Sequence, residues 1–341
     1  MDAGHHTLTE AGRGSASLIG GLAAAVVAIA VLAATVGAYP LSVADVVAAI
    51  SGAGVDETAR TVLFQVRLPR IGAALVVGAA LAGAGAGYQG LFRNPLVSPD
   101  ILGVSTGAGL GAVLGIYLSL PLALIQGFAF AAGIATVGLV YVVAIQVRGR
   151  EPVLVLVLAG VVVGALAGAM ISLLKVLADP YDQLPAITFW LLGSLAGIRT
   201  GDLMGVLPVA IIGLVPLVLL RWRITVLSLG DEEARALGIE AGRIRFLVIA
   251  AATLMTSSVV AISGVIGWVG LVMPHVARML VGPNFDRLLP AAMLLGGGYL
   301  LLVDTLARTM AQVETPIGIL TAILGAPFFI WLLARGRYAW T

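Results

Sequence analysis

Long runs of apolar residues without a charged side chain restrict the fold of this chain more than any other feature of its sequence. The run from Leu18 to Tyr39 carries no charge, and similar stretches recur towards the C-terminus. A helix of about 20 mainly apolar residues spans the hydrocarbon core of a bilayer. Because 60% of the residues are hydrophobic and 11% are charged, against about a quarter charged in soluble domains, the sequence predicts an all-α polytopic membrane protein.

Ten segments are predicted to span the membrane. By residue number they are 18–39, 67–91, 100–120, 122–146, 153–177, 203–221, 246–263, 264–281, 288–308 and 316–334. The first is longer than the apolar region of a signal peptide, which is about 7–15 residues, and we interpret it as a membrane helix. The seventh and eighth are divided only by Ser263 and Gly264.

The basic residues are unevenly divided between the two membrane sides. With both termini placed in the cytoplasm, 13 of the 19 Lys and Arg residues lie on the inner side and 6 on the outer side. Cytoplasmic loops are enriched in these residues, so this orientation is favoured. The chain then has a cytoplasmic tail at 1–17, a single transmembrane domain at 18–335 and a second cytoplasmic tail at 336–341.

Glycine spacing predicts close helix packing. Gly103 begins a strip that continues every fourth residue to Gly115, and residues four apart share one helix face. Glycine strips let helix backbones approach closely in lipid, and packing within the chain is favoured over a subunit interface. Residues 85–90 match Gly-x-Gly-x-x-Gly, but a dinucleotide site requires a preceding strand. This match is therefore interpreted as helix packing too.

The sequence lacks the motifs of enzymes and of cofactor sites. Lys175 is the only lysine, and it does not lie in the Gly-x-x-x-x-Gly-Lys-Ser/Thr loop that binds phosphates. His275 is isolated, whereas a metal site needs several converging ligands. Cysteine is absent, which excludes thiolate sites. We expect a non-enzymatic subunit that binds no cofactor or metal, with any ATP and Mg²⁺ held by a separate polypeptide.

The most polar internal segment runs from Arg221 to Phe246. Its acidic residues 231–233 follow Gly230 and suit the N-terminus of a short helix, and Gly238 is predicted to end that helix. The pattern predicts a helix–turn–helix against the cytoplasmic face of the membrane. A solvated connector and a docking surface for a cytoplasmic partner both stay open at this point.

Asp304 and Arg308 are charged residues within a predicted membrane helix. Their spacing of four suits an intrahelical ion pair, which lessens the cost of placing two charges near the membrane. A stand-alone secondary transporter or channel would need intramembrane carboxylates for ion coupling, and Asp304 is the one clear candidate. That class, and a membrane scaffold without a transport path, are the alternatives to a subunit of a larger transporter.

Five blocks in order along the chain resemble the iron-chelate and cobalamin permease family (FecCD type) of bacterial ABC importers. They are RLPRIGAALVVGAALAGAG, GLFRNPLVSPDILGVSTGAG, LSLGDEEARALGI, GVIGWVGLVMPHVARMLVG and PIGILTAILGAPFFIWLL. The resemblance covers residues 60–335 and implies the type II ABC importer permease architecture, with about ten transmembrane helices. It also implies a homodimer with the path at its interface, two cytoplasmic ATPase subunits, a periplasmic or lipid-anchored substrate-binding protein and a place in the bacterial inner membrane.

The resemblance also implies residue roles. Coupling to the ATPase is assigned within segment 222–245 to Gly230, Asp231, Glu232, Ala234, Arg235, Leu237 and Gly238. Docking of the binding protein is assigned to Arg67, Arg70 and Arg308, and the turn between the second and third helices to Arg93, Asn94 and Pro95. Pro152, Val153 and Leu154 occupy the cytoplasmic gate, where the cobalamin relative has small hydroxyl residues; an apolar gate seals by excluding water.

The function that the resemblance implies is ATP-driven import of a metal chelate by alternating access. A ferric siderophore is the first candidate for the substrate, because iron chelates are frequent in the family. Haem, cobalamin and molybdate stay open, since related permeases carry each of them and the binding protein sets most of the selectivity.

Overall fold

A computed structural model of the chain describes residues 3–52, 54, 56–147, 152–311 and 313–335. Those residues form helices and connecting turns, with no strand among them. The α-helices in chain order are α1 (Ala3–Thr35), α2 (Val43–Ser51), α3 (Glu57–Thr61), α4 (Leu68–Leu91), α5 (Val104–Tyr117), α6 (Leu122–Gln146), α7 (Pro152–Leu177), α8 (Gln183–Leu192), α9 (Thr200–Leu219), α10 (Arg221–Leu227), α11 (Asp231–Ala236), α12 (Ala241–Ser263), α13 (Val269–Val281), α14 (Phe285–Ala307) and α15 (Ile317–Arg335).

Seven segments in the described part of the chain are long and apolar enough to cross a membrane. They are Ser17–Thr35, Glu57–Leu91, Leu122–Gln146, Pro152–Leu177, Thr200–Leu219, Ala241–Ser263 and Phe285–Ala307. The second is continuous because a π-helical stretch, Val62–Arg67, joins α3 to α4. The prediction of an all-α polytopic membrane protein is confirmed, and these seven segments match seven of the ten predicted spans.

Two of the other three predicted spans are shorter helices than expected. The third and eighth are α5 and α13, with 14 and 13 residues, whereas the tenth corresponds to α15, which has 19 residues. A helix of 14 residues rises about 21 Å, less than the roughly 30 Å hydrocarbon core. A further short apolar helix, α8, lies in a region where no span was predicted.

Local backbone chemistry explains the short helices. Pro99 begins a 3₁₀ turn that ends at Gly103, and Gly103 has a left-handed φ of 77° before α5 starts. The chain between α12 and α13 is non-helical from Gly264 to Trp268. The N–H of Ser194, just after α8, donates to the Ser263 carbonyl at 2.8 Å. Protein groups thus satisfy irregular backbone at membrane depth, where lipid cannot.

Helix α4 forms the centre of the bundle and packs against α12, α13 and α14. Glycine makes this packing close: a Cβ at Gly85 would lie 1.9 Å from the carbonyl oxygen of Gly270 on α13. On α5, a Cβ at Gly111 would lie 2.2 Å from the carbonyl oxygen of Phe128 on α6. The predictions that both glycine patterns serve helix packing within the chain are confirmed.

Candidate functional site

Charged residues gather at the end of the bundle that the sequence predicts to be outside. We name Arg67, Arg70, Asp304, Arg308 and Glu314 the outer cluster. Arg70 lies at its centre: its Nε donates to both oxygens of Asp304 at 2.9 and 3.0 Å, and its Nη1 donates to Glu314 at 2.8 Å. The side chains of Arg70 and Asp304 are 9% and 2% exposed, whereas Glu314 is 44% exposed. A buried link therefore joins α4 to α14, with Glu314 at its open side.

The other two arginines of the outer cluster hold the end of α1. Arg67 donates to the carbonyl oxygens of Ala34 and Tyr39. Arg308 donates to two more carbonyls of the same stretch, those of Ala33 and Val36. The carbonyls of Ala33 and Ala34 lie at the C-terminus of α1, where they have no helical partner and favour a positive charge, and those of Val36 and Tyr39 lie in the segment that follows.

The structure thus places the predicted docking arginines in contacts within their own chain. The predicted pair of Asp304 and Arg308 is present at 3.9 Å, but the principal partner of Asp304 is Arg70. A cavity of about 250 Å³ opens beside these side chains and is also lined by Tyr39 and Glu314. Docking through the three arginines stays a prediction, and a partner's carboxylate would have to compete with Glu314 for Arg70.

Glu314 is a residue that sequence reasoning missed. It lies in the connection between α14 and α15, where a single acidic residue gave no pattern to distinguish it from an ordinary loop residue. Its hydrogen-bond partner, Arg70, lies 244 positions away in the sequence, and local sequence patterns do not predict such a contact.

The opposite end of the bundle carries the predicted coupling segment. Helix α11 begins at Asp231, directly after Gly230, and its last turn closes with two bonds: the Gly238 N–H donates to the Arg235 carbonyl at 2.9 Å, and the Ile239 N–H donates to the Ala234 carbonyl at 2.8 Å. Gly238 has a left-handed φ of 72°. This is a Schellman motif, so the predicted start and end of the short helix are confirmed.

The coupling segment presents a mixed surface. Ala234, on α11, is buried, whereas four other residues of the segment are exposed: Glu232, Arg235, Leu237 and Gly238. Leu237 is an apolar side chain at 57% exposure. An exposed apolar residue flanked by charges suits a partner surface, and the assignment of these residues to ATPase coupling stays a prediction.

Asp231 ties this segment to the membrane helices. Its Oδ1 accepts a hydrogen bond from Arg245 Nη2 at 2.5 Å and lies 4.0 Å from Arg93 Nη2. The hydrogen bond from Arg245 holds the pKa of the Asp231 carboxyl below its usual value of 3.8. We name Arg93, Asp231 and Arg245 the inner cluster.

The predicted gate lies next to the inner cluster. Pro152 is the first residue of α7, and Leu154 is 46% exposed. An open cleft of about 580 Å³ separates Pro152 from Asp231, Arg235 and Arg245. Residues 148–151, which connect α6 to α7, lie outside the described residues. The structure therefore brings Pro152 of the predicted gate and the coupling residues Asp231, Arg235 and Gly238 to one cleft.

The predicted turn at Arg93, Asn94 and Pro95 follows α4. The Asn94 N–H donates to the Gln89 carbonyl at 3.2 Å, and the Leu96 N–H donates to Asn94 Oδ1 at 2.9 Å. Arg93 has a left-handed φ of 50°, and Pro95 is buried. These contacts satisfy the backbone where α4 ends.

The described residues hold no group of three or more His, Cys, Asp or Glu side chains suited to a metal ion. The expectation that this chain binds no metal or cofactor stays a prediction. His275, the isolated histidine of the sequence analysis, is buried in α13.

A helical membrane bundle with a separate short helix at its inner end has the architecture of a type II ABC importer permease. One solved structure, an inward-facing conformation of a metal-chelate type ABC transporter, superposes with a TM-score of 0.86 and 40% identity, covering 94% of this chain and 99% of that one. The chain belongs to the FecCD transport family, which matches residues 24–335.

Two permease proteins are similar to this chain over most of their length. The molybdate import system permease protein MolB of Haemophilus influenzae is 41% identical over 323 residues, which is 93% of this chain and 96% of that protein. The cobalamin import system permease protein BtuC of Halobacterium salinarum is 42% identical over 281 residues, which is 82% of this chain and 75% of that protein.

Proposed function

We propose that this chain is the membrane-spanning subunit of an ATP-driven importer for a metal chelate. Membership of the FecCD family over residues 24–335 carries this proposal. Permease proteins of import systems are among its relatives. The chain contributes transport without covalent chemistry, and ATP with Mg²⁺ is bound and hydrolysed on a partner ATPase.

The proposed assembly contains two copies of this chain and two ATPase subunits in the bacterial inner membrane, with both chain termini in the cytoplasm. The ATPase binds the exposed face of the coupling residues, where Leu237 and Arg235 are accessible. A binding protein delivers the substrate to the outer end, where the cavity beside Arg67, Arg70 and Arg308 opens.

The proposed mechanism is alternating access at the interface between the two copies. ATP binding and hydrolysis move the coupling segment, and the cleft that it shares with Pro152 makes the start of α7 the nearest part of the path. Val153 and Leu154 continue this segment as apolar side chains. An apolar constriction closes by excluding water, and it offers a chelate no strong binding site that would retain it.

A ferric siderophore is the first candidate for the substrate, because the sequence resembles the iron-chelate permeases of the family. Molybdate is the second candidate, because the similarity to MolB extends over 96% of that protein. Haem and cobalamin are the other two candidate substrates.

Reconstitution in liposomes tests the function. The chain is purified with the ATPase and binding protein encoded beside it, and uptake of ferric siderophore, haem, cobalamin and molybdate is compared with and without ATP. ATP-dependent uptake of one ligand that requires both partners supports the proposal and identifies the cargo. Uptake driven by an ion gradient without the ATPase would instead favour a secondary transporter.

A further inference from the structure

Asp231 joins the coupling helix α11 to two membrane-spanning segments through one carboxylate. Its hydrogen bond to Arg245 reaches α12, and its approach to Arg93 reaches the turn after α4. Arg245 is 8% exposed at its side chain, whereas Asp231 and Arg93 are 27% and 37% exposed. Arg245 is therefore buried in the membrane domain, whereas Asp231 lies on the short helix α11 and is partly exposed.

The backbone at Arg93 argues that its side chain has a function. The Asn94 N–H donates to the Gln89 carbonyl at the end of α4, which is the 6→1 bond of a Schellman motif. Arg93 occupies the left-handed position of that motif, with φ at 50°, where glycine is the favoured residue. A non-glycine residue retained in a disfavoured conformation points to a role for its side chain, and this side chain extends towards Asp231.

Contacts from the same turn continue into the bundle. Gln89, in the last turn of α4, donates from Nε2 to the Leu271 carbonyl on α13 at 3.0 Å. Its Oε1 accepts from Arg278, also on α13, at 3.4 Å. The turn that Arg93 begins is therefore attached to both α4 and α13, so a displacement of α11 reaches three helices of the bundle: α12, α4 and the shorter α13.

The other contacts of α11 are less suited to passing a displacement of this helix on to the rest of the bundle. Helix α11 has six residues, and Ala234 is its buried side chain. A methyl group gives non-directional packing and allows sliding, whereas a charge-assisted hydrogen bond fixes distance and direction.

We propose that Asp231 is the positioning residue that transmits movement of the coupling helix to α12 through Arg245 and to α4 through Arg93. This inference rests on the proposed function, because it assumes that an ATPase moves α11. Asp231 itself acts through the two arginines and does not contact substrate or nucleotide.

The test compares four variants of the full complex in liposomes. Asp231→Asn removes the charge, Asp231→Glu retains it, and Arg93→Gly removes the guanidinium while supplying the residue that the backbone favours. Glu233→Gln is the matched control, since it makes the same carboxylate-to-amide change on the exposed side of the same helix. The measurements are ATPase co-purification, ATP hydrolysis and substrate molecules imported per ATP.

We expect Asp231→Asn to retain the ATPase while transport per ATP falls about tenfold, within the usual range of coupling between sites. Asp231→Glu should retain most of the coupling. Arg93→Gly should lose about twofold to fivefold, as for a partly exposed ion pair, without a loss of thermal stability. Glu233→Gln should match the native complex.

Several results would overturn the inference. Native transport per ATP in both Asp231→Asn and Arg93→Gly would show that the inner cluster transmits nothing. Loss of ATPase capture in Asp231→Asn alone would make Asp231 a docking contact instead. If Asp231→Asn does not fold, transport per ATP measured in Arg93→Gly decides whether the inner cluster transmits movement. Failure of the native chain to bind any ATPase would refute the proposed function itself, and that result is distinct from loss of coupling in a captured complex.

Discussion

The outer and inner clusters contain the same kinds of side chain, but their central carboxylates differ in burial. Asp304 is 2% exposed and Arg70 is 9% exposed, and they meet between two long helices, α4 and α14. Asp231 is 27% exposed and lies on a helix of six residues. Two arginines of the outer cluster also hold backbone carbonyls at the end of α1.

This difference suggests different tasks for the two ends. Removing one member of a buried pair leaves an uncompensated charge, so such a pair cannot open cheaply during a transport cycle. When an ion pair with a partly exposed carboxylate opens, water solvates the separated charges, and the pair contributes little to stability. The outer cluster therefore suits a fixed joint between helices, and the inner cluster suits a contact that changes during each cycle.

The largest expected effect comes from Asp304→Asn. The substitution leaves Arg70 and Arg308 with reduced compensation in a buried setting and should destabilise the protein by about 3–5 kcal/mol, as for broken buried pairs. Thermal unfolding of the detergent-solubilised protein measures this as a large drop in Tm. Glu314→Gln is the control, because its side chain is 44% exposed and should cost about 1 kcal/mol or less. Equal losses would show that burial does not distinguish the two carboxylates.

The sequence predicted features that depend on neighbours along the chain. Helix α11 was predicted from the acidic residues at its start and from Gly238 at its end, and both are local signals. The turn at residues 93–95, by contrast, was expected from the family resemblance. Long apolar runs predicted ten spans, and seven of them are long and apolar enough to cross a membrane, since length and composition define such spans without reference to other helices.

Features that depend on distant partners were not predicted. Asp304 was paired with Arg308 on spacing, but its closest partner is Arg70, which is 234 positions away. The break between α12 and α13 was predicted as a division at Ser263 and Gly264, but not the length of the non-helical stretch, which runs to Trp268 and is stabilised by contact with the end of α8. The docking arginines illustrate the same limit, since their partners within the chain, carboxylates for Arg70 and backbone carbonyls for Arg67 and Arg308, are distant in sequence.

Gly238→Ala tests whether the inner end needs a defined helix stop. A side chain at a left-handed φ of 72° should cost about 1–2 kcal/mol, and this cost falls on the short coupling helix, so transport per ATP should decline. Gly242→Ala is the matched control four residues on: a Cβ meets open space at both positions, but Gly242 lies within helix α12. Liposome uptake and ATP hydrolysis measure both. Equal activity of the two variants would refute a special role for the turn.

Glu314→Gln tests whether the outer end also serves docking. If a partner's carboxylate competes with Glu314 for Arg70, the neutral side chain should tighten capture of the binding protein by about twofold to fivefold, the range for an exposed ion pair. Binding to the immobilised permease measures this affinity. Glu57→Gln is the control, as another exposed carboxylate of the outer end that lines a separate cavity. Unchanged affinity in Glu314→Gln would confine the outer cluster to holding helices together.

The smallest effect is the pH dependence of the inner cluster. Arg245 lowers the pKa of Asp231 below 3.8 in the folded protein, so the pair stabilises the fold at pH values above 3.8 and loses this contribution as the pH falls through the folded pKa. The Tm difference between the native protein and Asp231→Asn should be constant from neutral pH to about pH 5 and correspond to about 0.5–1 kcal/mol. It should shrink below pH 3.8, because a protonated carboxyl resembles an amide. A difference that persists unchanged at low pH would mean that Asp231 stabilises α11 by helix capping and not through its charge on Arg245, and the contrast between a fixed outer joint and an electrostatic inner link would then fail.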